Sequence, residues 1–129
     1  MFYFDKSIKL VISAITFLVL DFLYLNFIKD YFFNQIKVIQ KETIKINFIA
    51  IIICYILLIT GINYFIINQN RSVSDAFLLG LVIYGVFETT NKALFNKWSW
   101  TTVIIDTLWG GILFALTTYL IKLLSIKNI

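Results

Sequence analysis

The sequence contains no histidine, no proline and a single cysteine, Cys54. The absence of histidine excludes imidazole-based catalysis and histidine-ligated zinc or haem sites. It also leaves Cys54 without an imidazole to activate it as a nucleophile, and a lone cysteine cannot form an intrachain disulfide. Because proline is absent, no helix is kinked by a proline ring. The common catalytic constellations are therefore missing, and any cofactor or metal is left unidentified.

Charged residues are also scarce in this chain. They make up 14% of its 129 residues, against roughly a quarter in an ordinary soluble domain, whereas hydrophobic residues make up 60%. The mean hydropathy is +0.90. A soluble domain of this size needs a polar shell, since small domains have a high ratio of surface to volume. The composition therefore predicts one transmembrane domain, residues 1–129, with the lipid bilayer as its main partner.

The excess of positive charge fits a membrane and not nucleic acid. The formal net charge is +4, and the lysines cluster at the edges of apolar runs. Lysines at such edges extend towards anionic head groups. Five basic residues fall on each side of the predicted membrane, so the positive-inside rule assigns no orientation.

Four apolar stretches are long enough to cross a bilayer, which takes about 20 helical residues. They lack the alternation of barrel strands, so the predicted fold is all-α, a polytopic four-helix transmembrane bundle. The first stretch resembles a signal peptide, but no small-x-small cleavage site follows it, and we expect it to be a retained helix. The predicted spans are about residues 9–28, 47–67, 74–95 and 101–124.

The predicted connection of residues 29–46 is amphipathic. Phe32, Ile36 and Ile39 follow i, i+4, i+7 spacing, which predicts a helix lying on the membrane surface, and a plain tether is the alternative. In the short second connection Ser74 is the predicted N-cap of the third helix, with Asp75 in its first turn.

Three carboxylates lie within the predicted spans. A charge there costs about 2.5–3.5 kcal/mol on insertion scales, and such residues usually face protein or water. Asp21 and Glu88 each lie seven residues before the end of their span, and Asp106 lies six to eight residues after the start of its own. Because successive spans alternate in direction, all three fall roughly 10 Å below the same membrane face. The sequence thus predicts an acidic layer at one depth.

Polar and aromatic residues accompany these carboxylates at helical spacing. Lys92 follows Glu88 at i+4, an order that favours a local ion pair. Gly111 and Ala115 form a small-xxx-small pair beside Gly110, which predicts close helix packing. The candidate residues of the layer are Asp21, Tyr24, Tyr84, Glu88, Asn91, Lys92, Asp106 and Trp109. Trp98 and Trp100 are predicted to be interfacial anchors.

The layer has a structural and a functional interpretation. As structure, its hydrogen bonds would only fix the register of the helices. Yet like charges this close cannot all be ionised, so at least one carboxyl group is expected to be protonated or to bind a cation. We therefore favour a functional layer.

Several segments together resemble a known family of predicted membrane proteins. They are Leu20-Asp21 with Tyr24-Leu25, Tyr84 through Glu88 to Asn91 with Trp98, and Asp106 with Trp109-Gly110. The pattern is that of domain-of-unknown-function family 2177, with Tyr24 here where the family tends to tryptophan, and Glu88-Thr89 where it tends to Asp-Leu. The resemblance implies a four-helix membrane protein in which Asp21, Glu88, Asn91, Asp106, Trp109 and Gly110 are the marked positions. It implies no activity.

Three functions remain open at the level of sequence. The first is a proton- or cation-linked transport or channel component, with Glu88 and Asp106 as exchanging acids, Asp21 as a third ligand and a homo-oligomer forming the pore. The second is a lipid-binding or lipid-modifying protein. The third is a structural or accessory subunit. Transport predicts a polar route across the bundle, whereas a lipid site predicts a lateral opening.

Overall fold

The chain forms four helices. The computed structural model describes residues 5–127, and the side chains of residues 5–125. The helices are α1 (Lys6–Gln40), α2 (Phe48–Ile62), α3 (Val73–Leu94) and α4 (Trp100–Lys127), and a π-helical turn, Asn63–Ile67, extends α2. All four are long and apolar enough to cross a membrane, α2 together with its π-helical turn. The described residues contain no strand, and the prediction of an all-α protein with four spans is confirmed.

The first helix is longer than predicted. α1 has 35 residues, well beyond the roughly 20 that cross a bilayer. The predicted end near residue 28 is not observed: residues 29–40 are further turns of the same helix, and the connection to α2 is residues 41–47. Since no glycine or proline occurs there, nothing stops the helix before Lys41, whose φ of 60° ends it.

Side-chain caps fix where the other helices begin. The Asn47 side chain accepts a hydrogen bond from the Ala50 N–H at 3.1 Å. At the start of α3 the hydroxyl of Ser72, and not that of Ser74 as predicted, accepts from the Asp75 N–H at 3.0 Å. The prediction was wrong because α3 begins at Val73, so the residue directly before it, Ser72, is the N-cap. Asp75 lies in the first turn, as expected.

The closest helix pair is α3 with α4. A Cβ atom added to Gly80 would overlap the carbonyl group of Gly110, and one added to Gly110 would overlap the Tyr84 ring. A Cβ atom on Gly111 would approach Phe77 to 2.8 Å. These glycines let the two backbones touch, which gives the predicted packing residues Gly110 and Gly111 a geometric basis. Ala115, one turn further along α4, is half-buried.

An apolar layer crosses the middle of the bundle. It contains Phe17 of α1, Ile62 of α2 and Phe114 of α4, all fully buried. The Phe17 and Phe114 rings meet edge to face with centroids 5.5 Å apart. We call the end of the bundle that carries the α3–α4 connection the near face, and the end that carries the α2–α3 connection the far face. The carboxylates lie on the near side of the apolar layer.

Candidate functional site

Asp21 joins three helices. Its side chain is 6% exposed. Oδ1 accepts a hydrogen bond from the Trp109 indole N–H at 2.9 Å, and Oδ2 accepts one from the Tyr55 hydroxyl. Both oxygens of this carboxyl group are thus bonded to donors from α4 and α2, which satisfies a polar group that lipid could not solvate.

Asp106 completes a reciprocal arrangement between α1 and α4. It is 8% exposed and accepts a hydrogen bond from the Tyr24 hydroxyl at 3.1 Å. The Tyr24 ring stacks on Trp109, with centroids 4.5 Å apart and planes inclined by 12°. Each helix therefore supplies one carboxyl group and, three residues later, one aromatic donor to the other helix. We call these four residues the aspartate–aromatic clasp: Asp21, Tyr24, Asp106 and Trp109.

Glu88 is the most buried acid of the layer, at 1% exposure. It accepts a hydrogen bond from the Trp98 indole N–H at 2.9 Å. Its carboxyl group also lies within hydrogen-bonding reach of the Asp106 carboxyl group. Two carboxyl groups within hydrogen-bonding reach of each other repel when both are ionised, so a proton or a cation must lie between them. Glu88 and Asp106 therefore form a carboxyl pair.

The predicted ion pair between Glu88 and Lys92 is not observed. The Lys92 ammonium group donates to the Asn96 carbonyl oxygen at 3.1 Å and lies 5.8 Å from the centroid of the Trp100 ring. The i+4 spacing allowed the pair, but the lysine points outwards along the near face, where its charge is solvated. Within the described residues the one salt bridge joins Arg71 to Asp75, far from the layer.

Two other predicted residues lie beside the layer. Asn91 is half-buried, one turn beyond Glu88, and takes no part in the hydrogen bonds of the clasp or of the carboxyl pair. Tyr84 lines the cavities described below. Within residues 5–127 no three acidic or cysteine side chains come together to hold one metal ion. Asp21 and the carboxyl pair nevertheless line the same small cavity.

Trp98 has a different role from the one predicted. It was expected to be an interfacial anchor, but it is 6% exposed and donates to Glu88. Trp100 is 62% exposed, as an anchor should be. No helical spacing could have revealed the contact, because Trp98 lies in the α3–α4 connection and folds back onto α3. The structure also adds Tyr55 to the site, because its hydroxyl group donates to the Asp21 carboxyl group.

The carboxyl groups surround a small cavity of about 230 Å³. A larger groove of about 820 Å³ opens sideways between α1 and α2. The outer part of the groove is apolar and is lined by Leu18, Phe22, Phe48, Ile51, Cys54 and Leu58. The groove and the cavity share Asp21, Leu25, Tyr55 and Tyr84 as lining residues. The groove therefore reaches Asp21 from the bilayer side of the bundle and lies next to the cavity that Glu88 and Asp106 line.

The end of α1 covers the cavity at the near face. Phe32 and Ile36, both on the predicted amphipathic stripe, line the cavity. Gln35 fastens this part of α1, because its Oε1 accepts from the Ser99 N–H at 2.8 Å and from the Thr102 hydroxyl at 3.3 Å. We call residues 29–40 the α1 cover. It closes the near face above the carboxyl groups and leaves the lateral groove as the wider approach.

The four spans and the buried carboxyl groups define a multi-pass integral membrane protein. The profile of the family described as "Predicted membrane protein (DUF2177)" matches residues 7–122, which include every candidate residue of the layer. The chain belongs to this family, as the resemblance of its motifs implied. No curated protein and no solved structure matches the chain.

Proposed function

We propose that the protein binds a lipid-like amphiphile taken up sideways from the bilayer, with the polar group of the amphiphile at the buried carboxyl groups. The observation that supports this most directly is that the groove adjoins the carboxyl-lined cavity, since both are lined by Asp21, Leu25, Tyr55 and Tyr84. An apolar chain in the groove brings its polar end to the layer. The groove volume, about 820 Å³, falls in the roughly 300–1,000 Å³ range of small-molecule sites.

The chemistry of the layer favours a polar group that donates hydrogen bonds. Carboxyl oxygens accept, and each oxygen of Asp21 keeps a second lone pair beside the one that Trp109 or Tyr55 uses. A hydroxyl or amine group suits these acceptors, whereas a phosphate would meet three acidic side chains and no basic one. The carboxyl pair of Glu88 and Asp106 can hold and release a proton, so it is also the candidate general acid and base if the bound molecule is modified.

Transport is less well supported by the same geometry. A proton or cation leaving the carboxyl pair towards the far face would have to cross the apolar layer, where Phe17, Leu113 and Phe114 are fully buried. Within the described residues the acids form no group of three that could hold one metal ion, and the role of Asp21 as a third ligand stays a prediction. The homo-oligomer that would enclose a shared pore stays a prediction.

Lipid analysis of the protein purified in mild detergent tests the proposal. We expect one hydroxyl- or amine-bearing lipid to be enriched in the wild type relative to the membrane extract. Cys54→Trp, which fills the groove, should remove it. Leu57→Trp is the matched control, because Leu57 is 66% exposed on the same helix and lies outside the groove.

A second arm of the experiment addresses the polar end of the site. Asp106→Asn keeps an acceptor for Tyr24 but removes the acid, and we expect it to lower the amount of the bound lipid while the protein stays folded. Equal lipid content in wild type, Cys54→Trp and Asp106→Asn would refute the proposal. In that case proton flux in liposomes is the next measurement.

A further inference from the structure

We infer that the far face carries a binding site for a phosphate group, separate from the carboxyl layer and independent of the proposed lipid function. A cavity of about 480 Å³ opens there between the start of α1, the connection after the π-helical turn and the end of α4. We call it the far-face pocket. The polar residues that line it are Lys9, Asn70, Thr118, Lys122 and Ser125.

The pocket is positively charged. Lys9 and Lys122 supply two ammonium groups, and the described lining contains no acidic residue. The acidic residues nearest in sequence have other partners. Asp5 accepts from the Ile8 N–H at 2.9 Å, and Asp75 pairs with Arg71 at 3.6 Å. Nothing described in the pocket therefore neutralises the two lysines.

Two hydroxyl groups in the pocket have no hydrogen-bond partner among the described residues. Thr118 is 1% exposed, and its hydroxyl makes no hydrogen bond to any described residue. The buried hydroxyl of Ser125, seven residues further along α4, is likewise unpaired. Since buried polar groups are almost always hydrogen-bonded, these two hydroxyl groups are available to donate to an acceptor bound in the pocket.

The backbone after the π-helical turn positions one of the lysines. Asn70 adopts a left-handed conformation with φ 52°, and its N–H donates to the Ile67 carbonyl oxygen at 3.1 Å. Its side-chain oxygen then accepts from the Lys122 ammonium group at 3.1 Å. That contact holds the lysine over the pocket and uses one of its three donors, so two remain for a ligand.

A phosphate group matches this set of donors. Its oxygens accept several hydrogen bonds at once, and lysine is a common point-charge partner of phosphate. A carboxylate offers fewer acceptors for two ammonium groups and two hydroxyl groups. The phosphate can come from a phospholipid head group at the end of the bundle or from a soluble phosphate, and the experiment distinguishes these sources.

Native mass spectrometry of the full chain in detergent micelles, titrated with phosphatidylglycerol, is the test. We expect one saturable lipid adduct, weakened about 30-fold when Lys9→Gln and Lys122→Gln are combined, since each basic residue at a membrane surface contributes on this scale. Lys37→Gln with Lys45→Gln is the control, because it removes two exposed near-face charges. Thr118→Val keeps the shape of the side chain and should weaken the adduct about threefold through loss of one donor.

A parallel titration uses inorganic phosphate and no lipid. Saturable binding that the far-face variants abolish would support the site and assign it to a soluble phosphate, whereas binding of phosphatidylglycerol alone assigns it to a lipid head group. The inference is overturned if both ligands bind without saturation, or if the control variant weakens binding as much as the far-face variants do. Either result would be expected if the lysines only attract anionic head groups through their total charge. If the lysine variants fail to fold, unchanged binding to folded Thr118→Val is enough to reject the site.

Discussion

In the carboxyl pair of Glu88 and Asp106, substitution of one side chain changes whether the two groups can share a proton or a cation. Glu88 is nearly inaccessible and has one other hydrogen-bond donor, the Trp98 indole. Without a cation, the pair is stable only when one proton lies between the two carboxyl groups. The residue at position 88 should therefore have a large effect on the stability of the folded protein.

We expect Glu88→Gln to keep the protein folded with stability within about 1 kcal/mol of the wild type, because glutamine accepts from Trp98 and donates permanently to Asp106. Glu88→Ala should destabilise it by about 2–4 kcal/mol, through a cavity and an unpaired indole N–H. Unfolding by denaturant in micelles measures both variants. If Glu88→Gln is as damaging as Glu88→Ala, the pair is ionised and holds a cation.

At the scale of the helix, the contact between α3 and α4 is the feature that most restricts which residues the sequence can have. Three glycines remove the side chains that would keep the two backbones apart: Gly80, Gly110 and Gly111. Such close contact maximises van der Waals packing, which is the main attraction between helices in lipid. This pair is accordingly the rigid scaffold that carries Glu88 and Asp106.

Substituting these glycines gives a matched comparison. Gly80→Ala should destabilise the protein by about 1–3 kcal/mol, because its Cβ atom would overlap the Gly110 carbonyl group. Gly61→Ala has no neighbouring atom within 4 Å and should be neutral or stabilising by up to about 1 kcal/mol. Thermal unfolding of the two variants in the same detergent checks this. Equal melting temperatures would show that the α3–α4 contact is looser than described.

The features that could be predicted best from the sequence are those that depend on the composition of each helix by itself. Hydropathy and alternating direction were sufficient to predict four spans and three acids on one side of the bundle. The partners of individual side chains were harder to predict. The i+4 spacing allowed Lys92 to pair with Glu88, but it could not exclude that the Lys92 side chain extends outwards along the near face. The contact of Trp98 depends on the α3–α4 connection, and no pattern encodes it. The apolar stretch ends near residue 28, although a helix can continue beyond the end of an apolar stretch.

At the scale of the whole molecule, the two ends differ in chemistry. The near side holds buried acids under the α1 cover, and the far side holds the two lysines of the far-face pocket. The apolar layer around Phe17 and Phe114 separates them. Ligands at the two ends would therefore be bound independently unless the helices move relative to one another.

The α1 cover should be the easiest part of this arrangement to open. We expect Gln35→Leu to loosen residues 29–40 at the start of α4, since it removes the acceptor of both the Ser99 N–H and the Thr102 hydroxyl and leaves the hydrogen bond between the Tyr31 and Ser99 hydroxyl groups. Hydrogen–deuterium exchange should then quicken in residues 29–40 and leave α3 unchanged. Asn34→Leu, at an exposed neighbouring position, is the control. If the two variants exchange alike, Gln35 does not hold the cover.

The aspartate–aromatic clasp also has a consequence for how the protein is made. Asp21 gains its Tyr55 donor 34 residues later in the chain, but its Trp109 donor only after 88 residues. During synthesis the first helix therefore enters the membrane with a carboxyl group whose final partner does not yet exist. In ribosome-bound chains that stop before α4 the Asp21 carboxyl group lacks its Trp109 donor, so the insertion machinery must shield it from lipid until the last helix arrives.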